Sequence, residues 1–173
     1  MKELYDAIRT IPNFPKKGVM FRDITPLIKT DSLFAKSIEL FAKQVPSEIT
    51  KIVAIESRGF IFGGALACLL RKGFVPIRKK GKLPWKTHSV TYDLEYGTDS
   101  LHMHHDAVNP GDKVLIVDDL LATGGTVKAT TELVEHSGGK VIGIAFLIEL
   151  IDLKGRDKLK GYPVFSLIKF RGE

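Results

Sequence analysis

Residues 113–126 read KVLIVDDLLATGGT and indicate the fold of the whole chain. The apolar run 114–117 is too short for a helix and rich in β-branched side chains, as in a central parallel strand that is covered on both faces. Two carboxylates, Asp118 and Asp119, end this run, and a loop of small residues and a helical pattern follow. The order of strand, polar turn and helix predicts an α/β fold with a mostly parallel sheet.

The small-residue loop has the chemistry of a phosphate site. Its paired glycines let the backbone turn tightly, so that successive N–H groups converge on one anion at a helix N-terminus. The GxxxxGK[ST] spacing of a triphosphate-binding loop is missing. Carboxylates just upstream can accept hydrogen bonds from vicinal ribose hydroxyls. The pattern therefore predicts a ribose 5-phosphate site formed by Asp118, Asp119, Ala122, Thr123, Gly124, Gly125 and Thr126.

A second strand, turn and helix follow the same plan. A buried strand is predicted at 51–55, then the turn ESRGF at 56–60, then a helix to residue 71. Ligands of open α/β sheets bind beyond the carboxyl ends of the strands, so the two turns are expected to meet in one crevice. Further strands are predicted at 74–77, 141–148 and 164–168, with a hairpin at 89–92 and 100–104 and a short amphipathic helix at 2–10.

Composition favours one soluble cytoplasmic domain. The chain has 173 residues, 44% of them hydrophobic and 27% charged, and it starts without the basic and apolar regions of a signal peptide. Its most apolar run, at 60–70, is too short to span a bilayer. The single cysteine, Cys68, is predicted to be buried. Part of the net charge of +6 lies in one cluster, which suits a polyanionic small substrate as well as nucleic acid: Arg78, Lys79, Lys80, Lys82 and Lys86.

The string VLIVDDLLATGGT resembles the 5-phosphoribosyl diphosphate (PRPP) signature of the type I phosphoribosyltransferases, in the form that adenine-using members carry. The turn at 56–60 resembles the family's pyrophosphate-binding turn, and GVMFRDITPL at 18–27 its purine-side segment. The resemblance spans nearly the whole chain. It implies a type I phosphoribosyltransferase fold: a mostly parallel twisted sheet flanked by helices, in one domain over 1–173. An N-terminal base-binding hood at 1–30 and a flexible β-hairpin flap at 79–105 are expected to complete it.

The resemblance also implies roles for the remaining site residues. Adenine would lie between Phe21 and Leu150, with the backbone around Met20 and Arg22 at its polar edge. Without the resemblance, the segment at 18–27 is equally well a plain edge strand, and the basic run at 78–86 is equally well a solvated loop. Glu95 and Tyr96 would lie near the reacting centre, where a carboxylate can accept a proton or stabilise charge; an exposed hairpin glutamate is the alternative. The residues implied to bind pyrophosphate are Glu56, Ser57, Arg58, Gly59, Arg78, Lys79 and Lys82.

The implied reaction transfers the 5-phosphoribosyl group of PRPP to adenine, giving AMP and pyrophosphate in purine salvage. Mg²⁺ is the implied cofactor, held mainly by substrate oxygens and water rather than by protein ligands. The resemblance also implies a homodimer, without nucleic-acid or membrane partners. One alternative is the same chemistry on a 6-oxopurine, against which stands the lack of a lysine in the presumed base pocket. The other is a PRPP-sensing regulator that binds nucleic acid, although the chain has no segment left for a winged helix.

Overall fold

A seven-stranded sheet forms the centre of the protein, in a computed structural model that describes residues 1–93 and 97–172. A separate two-stranded sheet lies in the N-terminal region. The helices are α1 Lys2–Asp6, α2 Thr25–Ile28, α3 Asp31–Ala42, α4 Gly59–Leu70 and α5 Gly125–His136, with short 3-10 helices at Ile151–Leu153 and Gly155–Leu159. The strands are β1 Arg9–Pro12, β2 Met20–Asp23, β3 Lys51–Ile55, β4 Gly73–Lys79, β5 Thr87–Asp93, β6 Thr98–His104, β7 Lys113–Leu121, β8 Lys140–Leu150 and β9 Val164–Phe170.

The large sheet is parallel over five of its strands. Its order is β5-β6-β4-β3-β7-β8-β9, and the neighbours from β4 to β9 pair in parallel. The hairpin strand β6 pairs antiparallel with β4 and with β5, which confirms the predicted hairpin. From β3 the chain passes first to β4 on one side and later to β7 on the other. The switch point of this α/β sheet, where ligands bind, therefore lies between β3 and β7.

Both faces of β7 are buried, as the sequence predicts. Leu115 and Val117 belong to the apolar cluster on the α3 and α4 side of the sheet. Val114 and Ile116 belong to the cluster on the α5 side. Alternate residues of a strand point to opposite faces, so a strand with helices on both sides needs apolar residues throughout. The mostly parallel, helix-flanked α/β fold is thereby confirmed.

Two local predictions are wrong. The helix predicted at 2–10 ends at Asp6, and Arg9 instead begins β1, where its Nε donates to Asp23 Oδ2 of β2 at 2.9 Å. Cys68 is exposed on α4 rather than buried. None of the described helices is both long enough and apolar enough to cross a membrane.

Candidate active site

A crevice of about 530 Å³ opens at the switch point, beyond the carboxyl ends of β3, β4 and β7. It brings together residues from the turn after β3, the end of β4, the hairpin and the end of β7. Four carboxylates and two cationic side chains lie among its lining residues. These are Ile55, Glu56, Ser57, Arg58, Lys79, Tyr92, Asp99, Leu101, Asp118, Asp119, Leu120 and Thr126.

Gly59 allows the first of the predicted turns to lie directly against the end of β7. A Cβ at Gly59 would lie 2.7 Å from Asp118 Oδ1 and 3.1 Å from the carbonyl oxygen of Val117. Any larger residue at this first position of α4 would push the helix away from β7. The two turns that the sequence places at strand ends therefore meet in three dimensions.

The loop at 122–126 forms the N-terminal end of α5. Gly124 caps this helix with φ +79°, a conformation that favours glycine. A small pocket of about 80 Å³ follows the loop and is lined by residues 120–127 with Asp118. Thr126 lines both this pocket and the large crevice. The first N–H groups of a helix lack partners inside it, so the pocket presents donors and a positive dipole end to an anion.

The two aspartates of β7 are adjacent, with Asp119 buried and Asp118 partly exposed. Burial raises the pKa of Asp118 well above its usual value, and the charge of Asp119 raises it further. Burial also raises the pKa of Asp119, against the opposing charge of Arg58. The N–H of Asp119 donates to Asp118 Oδ1 at 2.9 Å. Arg58 Nε lies 2.7 Å from Asp119 Oδ2, yet among the described residues this buried oxygen receives no hydrogen bond of good geometry. It is ready to accept one from a ligand hydroxyl.

The cationic side chains at the rim are each held by a carboxylate. Lys79 Nζ lies 3.0 Å from Asp99 Oδ2. Their hydrogen bond raises the pKa of Lys79 and lowers that of Asp99. Arg78 Nε donates to Glu56 Oε2 at 2.7 Å, and its NH1 donates to the carbonyl of Lys82 at 3.1 Å. The β4 end therefore places positive charge at the crevice beside the turn after β3.

The N-terminal segment contacts Arg58, a lining residue of the crevice, through Phe21. The Arg58 guanidinium lies over the Phe21 ring, 5.1 Å from its centroid. Arg22 points elsewhere: its NH1 donates to Thr10 Oγ1 at 2.6 Å, and its guanidinium covers the Phe170 ring at 4.2 Å. Phe170 pairs with Leu150 between β8 and β9. Among the described residues, the crevice lining does not include Met20, Phe21, Arg22 or Leu150.

The profile of the phosphoribosyl transferase domain matches residues 27–171, which include both turns and both aspartates. The chain belongs to the phosphoribosyltransferase family. Its curated relatives include the adenine phosphoribosyltransferase of Halothermothrix orenii, 55% identical over 96% of this chain and 99% of that one. The adenine phosphoribosyltransferase of Symbiobacterium thermophilum is 57% identical over 94% and 96% of the two chains.

Solved phosphoribosyltransferases share the same fold. The crystal structure of adenine phosphoribosyltransferase from Thermoanaerobacter pseudethanolicus has a TM-score of 0.96 and 56% identity, covering 98% of this chain and 99% of that one. The enzyme from Saccharomyces cerevisiae, complexed with an imino-altritol bisphosphate and adenine, has a TM-score of 0.90 and 43% identity over 96% and 97% of the chains. The enzyme from Giardia lamblia, complexed with 9-deazaadenine, has a TM-score of 0.90 and 41% identity over 99% and 98%.

Within this phosphoribosyltransferase, most of the predicted phosphate, ribose and pyrophosphate residues lie in or beside the two pockets. The predictions for Glu95 and Tyr96 fall outside the described residues. Five of the described lining residues were not predicted from the sequence: Ile55, Tyr92, Asp99, Leu101 and Leu120. Strand alternation was a usable signal for three of them. Asp99 and Leu101 share one face of β6 with Met103, and the burial of Leu101 and Met103 shows that this face points inward. Tyr92 shares one face of the paired strand β5 with Val90 and lies opposite Asp99, so the same alternation applies to it.

Proposed function

We propose that the chain transfers the 5-phosphoribosyl group of PRPP to adenine, releasing AMP and pyrophosphate in purine salvage. The observation that carries this proposal is the pair of Asp118 and the buried Asp119 directly beside the glycine and threonine loop at 122–126, at the switch point. The family match and the relatives named adenine phosphoribosyltransferase support the reaction and the base.

The crevice and the small pocket bind different parts of the substrate. The 5-phosphate binds at 122–126, where the α5 N-terminus supplies N–H donors. The ribose hydroxyls donate to the aspartates, above all to the buried Oδ2 of Asp119. Pyrophosphate binds along the turn at 56–59, and Arg58, Arg78, Lys79 and Lys82 supply its positive charges.

Bond exchange occurs at C1′ of the ribose. The bond from C1′ to the pyrophosphate oxygen breaks with its electron pair leaving on pyrophosphate, and adenine N9 forms the new bond and loses a proton. Positive charge develops on the ribose in the transition state, and Asp118 and Asp119 stabilise it electrostatically. We assign proton acceptance or charge stabilisation beside C1′ to Glu95, with Tyr96 next to it. Holding both reactants in line supplies the rest of the rate enhancement.

The donor set suits Mg²⁺ bound through the substrate. Asp118 and Asp119 offer hard oxygen ligands, whereas the described part of the chain has no group of three or more His, Cys, Asp or Glu side chains placed to hold a metal ion. Mg²⁺ keeps several waters and binds phosphate oxygens readily. When bound, it neutralises charge on the leaving pyrophosphate. The protein residues then orient the sugar and exclude water.

The base site lies next to the turn at 56–59. Phe21 contacts Arg58 and offers a flat apolar face, and Leu150, the last residue of β8, is assigned to the opposite face of the base. The backbone of Met20 and Arg22 supplies polar groups to the ring edge. Relatives solved with adenine and with 9-deazaadenine support a 6-aminopurine at this site. We further propose that the chain is cytoplasmic and forms a homodimer. Light scattering on the purified chain tests the dimer.

Incubation with PRPP, Mg²⁺ and either adenine or hypoxanthine tests the function. We expect AMP from adenine and little IMP from hypoxanthine, with one pyrophosphate released per nucleotide. Asp119→Asn should lose nearly all turnover. The matched control Asp6→Asn removes a carboxylate that is exposed and paired with Lys2, far from the crevice in sequence, and should keep full activity. IMP formation alone, or no nucleotide from either base, would contradict the proposal.

A further inference from the structure

The 3-10 turn that begins at Gly155 packs directly against the phosphate loop. A Cβ at Gly155 would lie 2.2 Å from the carbonyl oxygen of Ala122 and 2.8 Å from the Leu121 side chain. From the other side, a Cβ at Gly124 would lie 2.5 Å from the Gly155 carbonyl oxygen. The two backbones therefore touch without side chains between them, and the position of one fixes the position of the other.

Arg156 anchors this turn to the sheet. Its Nε and NH2 donate to the two carboxylate oxygens of Glu149 at 2.6 and 2.8 Å, a bidentate pair. Its NH1 donates to the carbonyl of Val164 at 2.8 Å, and NH2 also donates to Ser166 Oγ at 3.2 Å. Ser166 in turn donates to Glu149 Oε2 at 2.5 Å. All three guanidinium nitrogens therefore hold groups of the protein.

The network is partly buried and spans two strands. The Glu149 side chain is 8% exposed and that of Arg156 39%. Glu149 belongs to the end of β8, and Val164 and Ser166 belong to β9. A planar bidentate arginine fixes direction as well as distance, which a single flexible ammonium does not. The turn is thus tied to the end of the sheet by the residue that immediately follows Gly155.

We propose that Arg156 is a positioning residue for the phosphate loop: its pairing with Glu149 and β9 presses Gly155 against Ala122 and Gly124 and so sets the loop for a 5-phosphate. This inference rests on the proposed function, because it assumes that the loop at 122–126 binds the phosphate. Arg156 itself does not touch the substrate. It acts through the backbone contact between the two turns.

Two variants of the full-length chain test the link, with ribose 5-phosphate as the probe in calorimetry. Arg156→Lys keeps a positive charge beside Glu149 but loses the bidentate hydrogen bonding of the guanidinium. Gly155→Ala keeps every side chain of the network and inserts a methyl group against Ala122. The φ of residue 155 lies outside the left-handed region, so the variant acts through this steric overlap and not through backbone conformation. We expect each variant to raise the Kd for ribose 5-phosphate about tenfold, because small misplacements of binding groups are costly. The KM for PRPP should rise in parallel.

Matched controls separate positioning from general loss of stability. Lys51→Met breaks a partly buried ion pair, 3.0 Å to Asp112, at the opposite end of β3. Gly73→Ala adds a methyl group in ordinary contact, 3.8 Å from Lys51 Cγ. Both should keep the wild-type Kd within about twofold. A misfolded fraction lowers the calorimetric stoichiometry and the apparent kcat, whereas a displaced loop changes Kd and KM.

The outcomes are distinct. Wild-type affinity in Arg156→Lys and Gly155→Ala would overturn the inference and leave the proposed function standing. If Arg156→Lys fails to fold, Gly155→Ala decides alone. If the wild-type chain itself ignores ribose 5-phosphate and PRPP, the proposed function fails, and the inference falls with it.

Discussion

Replacing Gly59 by alanine tests whether α4 must approach β7 as closely as the structure shows. The added Cβ would lie 2.7 Å from Asp118 Oδ1, 3.1 Å from the Val117 carbonyl oxygen and 3.2 Å from Asp118 Cα. Rotation of the Asp118 side chain can relieve only the shortest of these contacts, because the other two atoms belong to the backbone. Non-bonded carbon atoms pack at about 3.5–4.0 Å. The helix and the strand must therefore move apart by roughly half an ångström.

The expected cost follows from overpacking. An extra methyl group in a tight site destabilises by about 1–3 kcal/mol, and the better helix propensity of alanine offsets at most about 0.5–1 kcal/mol. In a domain of this size each kcal/mol shifts Tm by about 2–4 °C. The net loss of about 0.5–2 kcal/mol predicts that Gly59→Ala melts about 1–8 °C below the wild type.

The substitution should lower kcat/KM as well as Tm. The displaced Asp118 Oδ1 also accepts the N–H of Asp119, at 2.9 Å, so both carboxylates move. A misplacement of 1 Å costs about a hundredfold, so a shift of about half that size should lower kcat/KM for PRPP about tenfold. Calorimetric melts and initial rates of AMP formation measure the two effects separately.

The same helix offers a control. A Cβ added at Gly64 would meet no described atom within 4 Å outside its own stretch of helix, so Gly64→Ala should raise Tm by about 1–4 °C and keep kcat/KM. A Gly59→Ala variant with the wild-type Tm and the wild-type KM for PRPP would refute the argument. The close approach of α4 to β7 would then have no part in building the crevice.

Three further variants probe charge in and around the crevice. Asp118→Asn should raise the free energy of unfolding by about 1 kcal/mol at pH 8 and leave it unchanged at pH 3. Burial raises the pKa of Asp118, so the wild-type protein loses stability as pH rises from the unfolded towards the folded pKa. Melts across pH in which the variant is less stable than the wild type at pH 8 would contradict this. Asp99→Asn should lower the free energy of unfolding at pH 7 by less than about 1 kcal/mol. The hydrogen bond from Lys79 lowers the pKa of Asp99 in the folded state, so this difference from the wild type should vanish as pH falls through that pKa. A difference that persists at pH 2 counts against that cause. Glu95→Gln should lower kcat about a hundredfold or more with an unchanged Kd for ribose 5-phosphate, and full turnover would remove Glu95 from the mechanism.

The sequence predicts the site well where it is local. The run at 114–117 is apolar on both faces because helices cover both sides of β7, and a run so short and so rich in β-branched residues is typical of a buried strand. The convergence of two distant turns follows from the rule for parallel strand ends. The contact of Gly59 with Asp118 shows that this rule brings 56–59 to 118–126.

The sequence fails where a distant partner decides. Leu4, Ala7, Ile8 and Ile11 have helical spacing, yet pairing with β2 draws the chain from Arg9 onward into a strand. The α4 sequence is apolar on all sides, so periodicity cannot show that Cys68 faces outward. Arg156 lies in a polar segment between β8 and β9, and its partners on these strands become its neighbours only through the fold.

The ion pair between Arg58 and Asp119 affects product release. In the proposed reaction, pyrophosphate draws Arg58 away from Asp119 and the ribose occupies the carboxylate. When both products depart, the two side chains meet again and neutralise each other's charge. Recombination of this pair stabilises the vacant enzyme and thereby weakens its hold on AMP and pyrophosphate. Turnover thus benefits from a contact that the substrate must first disrupt.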